Sequence, residues 1–207
     1  MYVTPFISHS FPPFTYVLLH SSSYIVDSAT VSGLQFSQHF PIEFSEVTVI
    51  CDVRDFGFPK SEIRWLFEGK ERPQYLNQTT IVLSNVTRSE TGNYTCSVRN
   101  MVNETTHTRF LDVVWSGKIS SLTATDRPLI EHISALELYC DISDIGHPRS
   151  SILWYKDELL MGAEHENSSR VIINKVTRND SGTYSCGLLN GVDRVMSGEV
   201  KVQVYCE

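Results

Sequence analysis

The sequence predicts an all-β fold made of two tandem β-sandwiches, and three observations lead to this prediction. An eleven-residue stretch, Val86–Cys96, returns ninety residues later as Val176–Cys186 with hydrophobic, acidic, glycine, tyrosine and cysteine positions in the same order. A second shared stretch comprises Cys51–Trp65 and Cys140–Trp154. Several short segments also alternate apolar and polar residues, which is the period of a strand with one buried face.

The repeated stretch resembles the corner that closes a β-sandwich in the immunoglobulin superfamily. In each copy a hydrophobic strand end is followed by an acidic turn with glycine, and then by Tyr94-Thr95-Cys96 or Tyr184-Ser185-Cys186. The resemblance implies that each tyrosine turns its ring into the core and bonds through its hydroxyl to the backbone of the preceding corner. Alignment of the repeats extends the resemblance over roughly residues 31 to 205.

The resemblance also implies one disulfide bond in each sandwich. Cys51 precedes Cys96 by 45 residues and Cys140 precedes Cys186 by 46, and a tryptophan follows each first cysteine by 14 residues. In the family that tryptophan packs against the bridge. Closing a loop of this size stabilises a domain by ~4 kcal/mol in the chain-entropy model. Cys206 has no predicted partner. Two explanations are equally favoured: a disulfide bond to another chain or to a missing segment, and a truncated sequence.

The repeat predicts a leader at residues 1–30, a first immunoglobulin-like domain at 31–115 and a second at 116–205. The boundary at Trp115-Ser116-Gly117 is too short to let the domains tumble freely. Phe14–Leu19 has the apolar character of the centre of a secretory signal, but no Lys or Arg precedes it. An unstructured leader, or a share of a neighbouring domain, is therefore favoured for residues 1–30.

Alternation and turn residues place the strands of the first domain in order. The predicted inward positions are Val47, Val49, Cys51, Ile63, Trp65, Ile81, Leu83 and Val86. Turns are predicted at Gly57–Pro59 and Glu68–Lys70, a hairpin tip at residues 100–104 and a last strand over Thr108–Val114. Only 18 residues separate Trp65 from Leu83, which leaves no room for the two extra strands of a variable-type domain. The strand set therefore resembles the intermediate or constant-2 type.

The second domain repeats this plan. Its predicted inward positions are Leu136, Leu138, Cys140, Ile152, Trp154, Val171, Ile173 and Val176. Asn190-Gly191 stands where a tight hairpin turn belongs, because this dipeptide tolerates the positive φ that such turns require. The alternating segment Glu199–Tyr205 is predicted to be the last strand.

Six of the nine asparagines stand in Asn-x-Ser/Thr sequons and are candidate glycosylation sites: Asn77, Asn85, Asn93, Asn103, Asn167 and Asn179. Asn179 is the weakest candidate because Asp180 and a tight corner hinder modification. The predicted disulfides and the sequons independently indicate an oxidising compartment. We therefore expect an extracellular protein, either secreted or the ectodomain of a membrane protein.

The sequence argues against several function classes. The net charge is −7 with no basic cluster, which disfavours nucleic acid and anionic membrane as partners. No apolar run approaches the roughly 18 residues of a membrane span. The seven histidines are scattered, and Glu164-His165-Glu166 fits a solvated turn better than a metal site. No nucleophile elbow or phosphate loop is present, so we expect no enzyme activity and no cofactor.

The resemblance implies a non-enzymatic recognition module of an adhesion molecule or receptor, with a cell-surface or matrix protein, or another copy of the chain, as its partner. The alternative is a structural spacer in a matrix or muscle-type array. Leu111-Asp112-Val113 resembles a short integrin-binding motif, but its place within a strand favours a structural role. Predicted strands C, F and G of the second domain carry no sequon, and Tyr155, Leu189 and Arg194 are the candidate exposed partner-binding residues.

Overall fold

The computed structural model describes residues 26–206, and over this range the chain forms two β-sandwiches joined through residues 112–117. This architecture confirms the predicted all-β class. The candidate signal segment, Phe14–Leu19, lies outside the described residues. The strands up to residue 111 form the first unit, and the strands from residue 118 onward form the second unit.

The first unit consists of two antiparallel sheets. Its strands are β1 (Thr30–Phe36), β2 (Val47–Asp55), β3 (Glu62–Phe67), β4 (Lys70–Glu71), β5 (Thr80–Leu83), β6 (Gly92–Arg99) and β7 (Glu104–Leu111). One sheet has the order β1-β2-β5 and the other has the order β4-β3-β6-β7. Short 3₁₀ helices at Pro73–Tyr75 and Arg88–Glu90 cross from one sheet to the other.

The second unit repeats the arrangement. Its strands are β8 (Lys118–Ala124), β9 (Leu129–Ile130), β10 (Ala135–Asp144), β11 (Ser151–Lys156), β12 (Leu159–Leu160), β13 (Arg170–Asn174), β14 (Gly182–Leu189), β15 (Arg194–Met196), β16 (Val200–Val202) and β17 (Val204–Tyr205). One sheet is β8-β10-β13, and the other is β12-β11-β14 with β15 and β16 both paired to β14. β17 pairs with β9 in parallel, and 3₁₀ helices occupy Ala163–His165 and Arg178–Asp180.

Each core is built around a disulfide bond and a tryptophan. The structure contains the bonds Cys51–Cys96 and Cys140–Cys186, while Cys206 is exposed and unbonded. Trp65 and Trp154 are at most 2% exposed and lie opposite the second cysteine of each bond on the neighbouring strand. The predicted inward residues of β2, β5, β10 and β13 point between the sheets, as the alternation predicts.

The two corners before β6 and β14 share a capping arrangement but differ at the tyrosine. The Thr87 N–H donates to Glu90 at 2.8 Å, and the Thr177 N–H donates to Asp180 at 2.7 Å. The Tyr184 hydroxyl donates to the Asp180 carbonyl at 2.8 Å, as the resemblance implies. The Tyr94 hydroxyl makes no hydrogen bond to any residue between 26 and 206, so the expected bond near residue 90 is absent from the first unit.

Of the expected turns, the one around Gly69 is present and the one at Asn190-Gly191 is wrong. Each unit has a two-residue extra strand, β4 or β12, because the chain doubles back through residues with positive φ, such as Glu68 and Gly69. The tip at Asn190-Gly191 has no positive φ, so it is not a tight two-residue turn. Instead the Asn190 carboxamide donates to the carbonyls of Trp115 and Pro148 at 3.0 Å, and its oxygen accepts from two N–H groups of the loop.

Some boundaries in the structure differ from the predicted boundaries of the strands and of the leader. Asp27 pairs with Phe58, and Ala29 is only 2% exposed in the core of the first unit. Residues 27–30 therefore pack on the first unit although the sequence placed them in the leader. Strand β7 ends at Leu111, and Val114 then pairs in parallel with Ile42. The predicted last strand of the second unit is divided between β16 and β17.

Trp115 connects the two units. Its backbone N–H donates to the His147 carbonyl at 2.8 Å and its carbonyl accepts from the His147 N–H at 2.9 Å. Its indole stacks on the His147 ring with centroids 4.9 Å apart and donates to Asp144 at 3.2 Å. The other side of His147 contacts Asp112 of the first unit at 2.9 Å. The linker is thus held against the second unit by both its backbone and its side chain.

Arg88 adds a charged contact across the same junction. Its guanidinium lies 4.3 Å from the centre of the Trp115 ring, and it bonds to Glu43 at 3.0 Å and to Asp144 at 2.6 Å. The hydrogen bond from the Gly146 N–H, together with those from Arg88 and Trp115, lowers the pKa of Asp144. This carboxylate therefore stays ionised at neutral pH and pairs with Arg88.

Candidate interaction surface

The candidate surface is the outer face of the second unit, defined by the outward side chains of β11, β12, β14 and β15. The strand register places Tyr155 beside Leu160, Gly187 beside Met196, and Leu189 beside Arg194. Because Trp154 and Cys186 point into the core, their neighbours Tyr155 and Gly187 point outward. Two sequence-predicted residues, Leu189 and Arg194, are exposed on this face.

The expected exposure of Tyr155 is wrong, since its side chain is only 7% exposed. Gly187 has no side chain, and the ring of Tyr155 and the thioether of Met196 fill the space above it. A Cβ added at Gly187 would lie 2.8 Å from the Met196 sulfur and 3.4 Å from Tyr155. The Arg194 guanidinium covers the ring, 5.0 Å from its centre. Tyr155 therefore forms the base of the surface and Arg194 forms its exposed top.

Apolar side chains surround this cluster. On the edge strand β12, Leu160 is 55% exposed and lies on the same face as its partner Tyr155, whereas Leu159 is 74% exposed and points to the other side of the strand. Leu189 and Met196 are each more than two-fifths exposed. Several large apolar side chains grouped on one sheet face are typical of a protein contact. The sequence analysis missed Leu159 and Leu160 because a two-residue strand has no periodicity. The pair of apolar residues directly after Asp157-Glu158 was the available signal.

The equivalent face of the first unit is polar and carries a sequon. Asn93 is exposed on the outer side of β6, beside Phe110 on β7. The second unit has Thr183 at this strand position and no sequon within its outer-face strands. Asn179 borders the outer face, because its carbonyl accepts a hydrogen bond from Lys156 at the end of β11. A sugar on Asn93 would cover the first face, whereas the second face remains open.

The remaining sequons differ in how their side chains are used. Asn77 and Asn167 are exposed and occupy equivalent turns, and in each case the carboxamide oxygen accepts from an N–H of the neighbouring strand. The Asn85 side chain is exposed as well. Asn103 is different, because its nitrogen donates to the Ala29 carbonyl at 3.0 Å and to Thr105 at 3.2 Å. A sugar would displace one of these bonds, which makes Asn103 the least suitable acceptor in the folded unit.

Three further features considered in the sequence are a metal site, a membrane span and the integrin-like tripeptide. No group of three or more His, Cys, Asp or Glu side chains that could hold a metal ion occurs in this range. The same range contains no helix that is long and apolar enough to cross a membrane. In the Leu111-Asp112-Val113 tripeptide both apolar residues are fully buried, and Asp112 is engaged by His147. The tripeptide is therefore part of the junction between units.

Comparison with known proteins finds cell adhesion molecules and hemicentins among the proteins similar to this chain. Neural cell adhesion molecule 1-A of Xenopus laevis is 20% identical over 187 residues, covering 78% of this chain and 16% of the relative. Hemicentin-1 of Mus musculus is 29% identical over 166 residues, covering 74% of this chain and 3% of the relative. The chain thus spans about a sixth or less of the length of these relatives.

Solved structures show the same fold. The N-terminal eight domains of Down Syndrome Cell Adhesion Molecule match with a TM-score of 0.67 and 17% identity, over 87% of this chain and 25% of that one. An I-band fragment of titin matches with a TM-score of 0.57 and 21% identity, over 86% and 67% of the two chains. The family description "Immunoglobulin domain" matches residues 34–100 and 120–190, which is more than half of the sequence. The chain belongs to the immunoglobulin domain family.

Proposed function

We propose that this chain is a non-enzymatic, extracellular recognition module that binds another protein through the outer face of its second unit. The partner is a cell-surface or matrix protein, and a second copy of the chain is one candidate. The observation that carries the proposal is the apolar cluster around Arg194, which is exposed on a sheet face that has no sequon within its strands.

The composition of the face supports protein binding. Aromatic, methionine and arginine side chains are enriched in the buried centres of protein interfaces, and Tyr155, Met196 and Arg194 meet at one point here. The exposed Leu160 on the edge strand extends this centre outward. A flat sheet face of this kind suits a standard-sized contact of modest affinity, which becomes strong when many copies act together between two surfaces.

The relatives support the same class of function. Four of them carry the words "cell adhesion molecule" in their names, and two are described as tyrosine-protein kinase-like proteins. These names concern proteins much longer than this chain, so the adhesive role is a proposal for the present sequence. The two disulfide bonds and the exposed sequons agree with an extracellular location.

A binding screen against cell-surface ectodomains, with the chain itself included, tests the proposal. We expect Arg194→Glu to weaken the partner's affinity tenfold or more, because it reverses the charge at the centre of the face and uncovers Tyr155. Arg170→Glu is the matched control. Arg170 likewise covers a tyrosine, with its guanidinium 5.2 Å from the Tyr139 ring, but it lies on the opposite sheet.

Two results would contradict the proposed surface. Equal affinity of the Arg194→Glu variant and the parent would show that the partner binds elsewhere. An equal loss in the Arg170→Glu control would indicate a general effect of charge. A second substitution, Leu160→Asp, tests the apolar edge independently and leaves the arginine unchanged.

A structural spacer is the second candidate function, and the junction at Trp115 favours it. Units held by backbone bonds and a stacked indole form a connected rod, and hemicentin and titin are among the similar proteins. Absence of any binding partner in the screen would support the spacer. Absence of any mass loss on glycosidase treatment after expression in secretory cells would show that the sequons are not used and would favour the intracellular, muscle-type form.

A further inference from the structure

The first unit contains a pocket that the proposed function does not use. It has a volume of about 200 Å³ and lies between the 3₁₀ helix Pro73–Tyr75 and the corner before β6. Its walls combine the aromatic rings of Tyr75 and Tyr94 with the polar groups of Arg72, Glu90 and Asn85. Sites for drug-sized ligands are larger, about 300–1,000 Å³, so this pocket has room for a single small ring.

Tyr94 places a hydrogen-bond donor without a protein partner in the wall of this pocket. The residue is only 4% exposed, yet its hydroxyl has no partner among residues 26–206. The equivalent Tyr184 hydroxyl donates to the Asp180 carbonyl. Burial raises the pKa of the Tyr94 phenol, so the hydroxyl keeps its proton at neutral pH. The hydroxyl is not one of the fully buried unpaired atoms, which are those of Ser45 and Ser150 in the described range, so it is accessible from the pocket and free to donate to an acceptor oxygen there.

Two further groups are available to the same ligand. The Arg72 side chain lies over the Phe67 ring at 5.0 Å and makes no ion pair or side-chain hydrogen bond within the described range. The Glu90 carboxylate uses one oxygen, Oε2, for its bonds to Thr87, at 2.7 Å from the hydroxyl and 2.8 Å from the N–H. Its other oxygen accepts no hydrogen bond from these residues. The pocket thus offers donors, an acceptor and flat aromatic surfaces together.

The second unit lacks these features at the equivalent positions. The Arg72 and Met161 N–H groups each donate to the carbonyl of the core tryptophan, at 2.7 and 2.8 Å, so methionine takes the place of arginine. Asn85 and Lys175 occupy the same positive-φ turn, and only the asparagine begins a sequon. The unpartnered tyrosine hydroxyl, the arginine and the sequon therefore occur together in one unit and not in the other.

We propose that the pocket holds the first N-acetylglucosamine of a glycan on Asn85. Asn85 is exposed and forms part of the pocket wall, so a sugar attached to its nitrogen begins at the opening. Sugar oxygens accept from Tyr94 and Arg72, a sugar hydroxyl donates to Glu90, and the ring packs beside Tyr75. The glycan then stabilises the first unit directly, in addition to shielding its surface.

A double-mutant cycle on protein from secretory cells tests this contact. We expect Asn85→Gln to lower the melting temperature of the first unit by about 4–8 °C, the shift that loss of a net hydrogen-bond contribution gives in a domain of this size. In a Tyr94→Phe background the same substitution should have clearly less effect. Arg72→Met, which introduces the residue of the second unit, should reduce the effect in the same way. Trimming the glycan enzymatically to a single N-acetylglucosamine should leave the stabilisation intact.

Asn93→Gln is the matched control, because Asn93 is an exposed sequon of the same unit that makes no side-chain hydrogen bond and is not part of the pocket. Its effect should be equal in the parent and in the Tyr94→Phe background. Equal effects of Asn85→Gln in both backgrounds would overturn the proposal, as would mass spectrometry that finds no sugar on Asn85. A single-sugar form no more stable than the sugar-free protein would also overturn it.

Discussion

Tyr184 and Tyr94 occupy the same position in their units, but only one of them completes its hydrogen bond. Replacing Tyr184 by Phe leaves the Asp180 carbonyl without its donor. We expect this change to lower the free energy of unfolding of the second unit by about 1–3 kcal/mol. Urea denaturation of the parent and the variant measures the difference.

Tyr94→Phe is the natural control in protein made without glycans. Its hydroxyl has no partner to lose between residues 26 and 206, so we expect almost no change in the free energy of unfolding. A large cost for Tyr94→Phe in that protein, or no cost for Tyr184→Phe, would contradict the difference between the two corners.

At this scale the sequence predicted which way a side chain points but not what covers it. Alternation along β11 correctly placed Tyr155 on the outer side of the sheet. Its burial depends on Gly187 and Arg194, which come from two other strands, and such neighbours follow only from the strand register. Asn103 shows the same limit. Its carboxamide is hydrogen-bonded to the backbone of Ala29, which is far away in the sequence.

Among the elements, strands β2 and β6 of the first unit and β10 and β14 of the second define the disulfide pattern. We expect non-reducing peptide mapping to recover the pairs Cys51–Cys96 and Cys140–Cys186, with Cys206 in neither. Each pair joins facing strands of one sandwich, so recovery of a bridge between the two units would be incompatible with this fold.

The longer strands could be predicted from sequence because each has several alternating positions to report its buried face. Strands β4 and β12 could not, since two residues carry no period, and the turn before each depends on unusual backbone angles at residues such as Glu68. The Asn190-Gly191 tip illustrates a second limit. The dipeptide permits a tight turn, but bonds from the asparagine to Trp115 and Pro148 favour a wider one.

For the molecule as a whole, Arg88 is the residue that most directly ties one unit to the other. Arg88→Ala removes its contacts with the Trp115 ring and with Asp144. Losing about 1–2 kcal/mol of such contacts should raise the population of undocked units about five- to thirtyfold. Small-angle scattering, or energy transfer between dyes placed on the two units, measures the broader distribution of distances.

Arg178→Ala is the matched control for the junction. Arg178 pairs with Glu131 at 3.1 Å as Arg88 pairs with Glu43, but it makes no contact between the two units in the described structure. We expect it to leave the distance distribution unchanged. Equal broadening in both variants would show that the charge contact does not hold the junction.

The spacing of the repeats predicts a short linker at Trp115-Ser116-Gly117 with limited motion, and that limited motion stays a prediction. The contacts themselves could not be predicted. Arg88, Asp112 and Asp144 lie far apart in the sequence and meet only after both sandwiches have formed. The pocket beside Tyr94 could not be predicted for the same reason. In the repeat the two corners look equivalent, and their surroundings differ only in the folded units.

The parallel pairing of β9 with β17 has a mechanical consequence. These strands lie near opposite ends of the second unit in the sequence, so tension along the chain pulls them in opposite directions along their length. The hydrogen bonds between these strands run transverse to the pulling direction. They are therefore stressed at the same time and do not break one after another. Ile42 beside Val114 has the same geometry in the first unit. In each sandwich a pull along the chain is therefore resisted by a parallel pair of backbone segments loaded in shear.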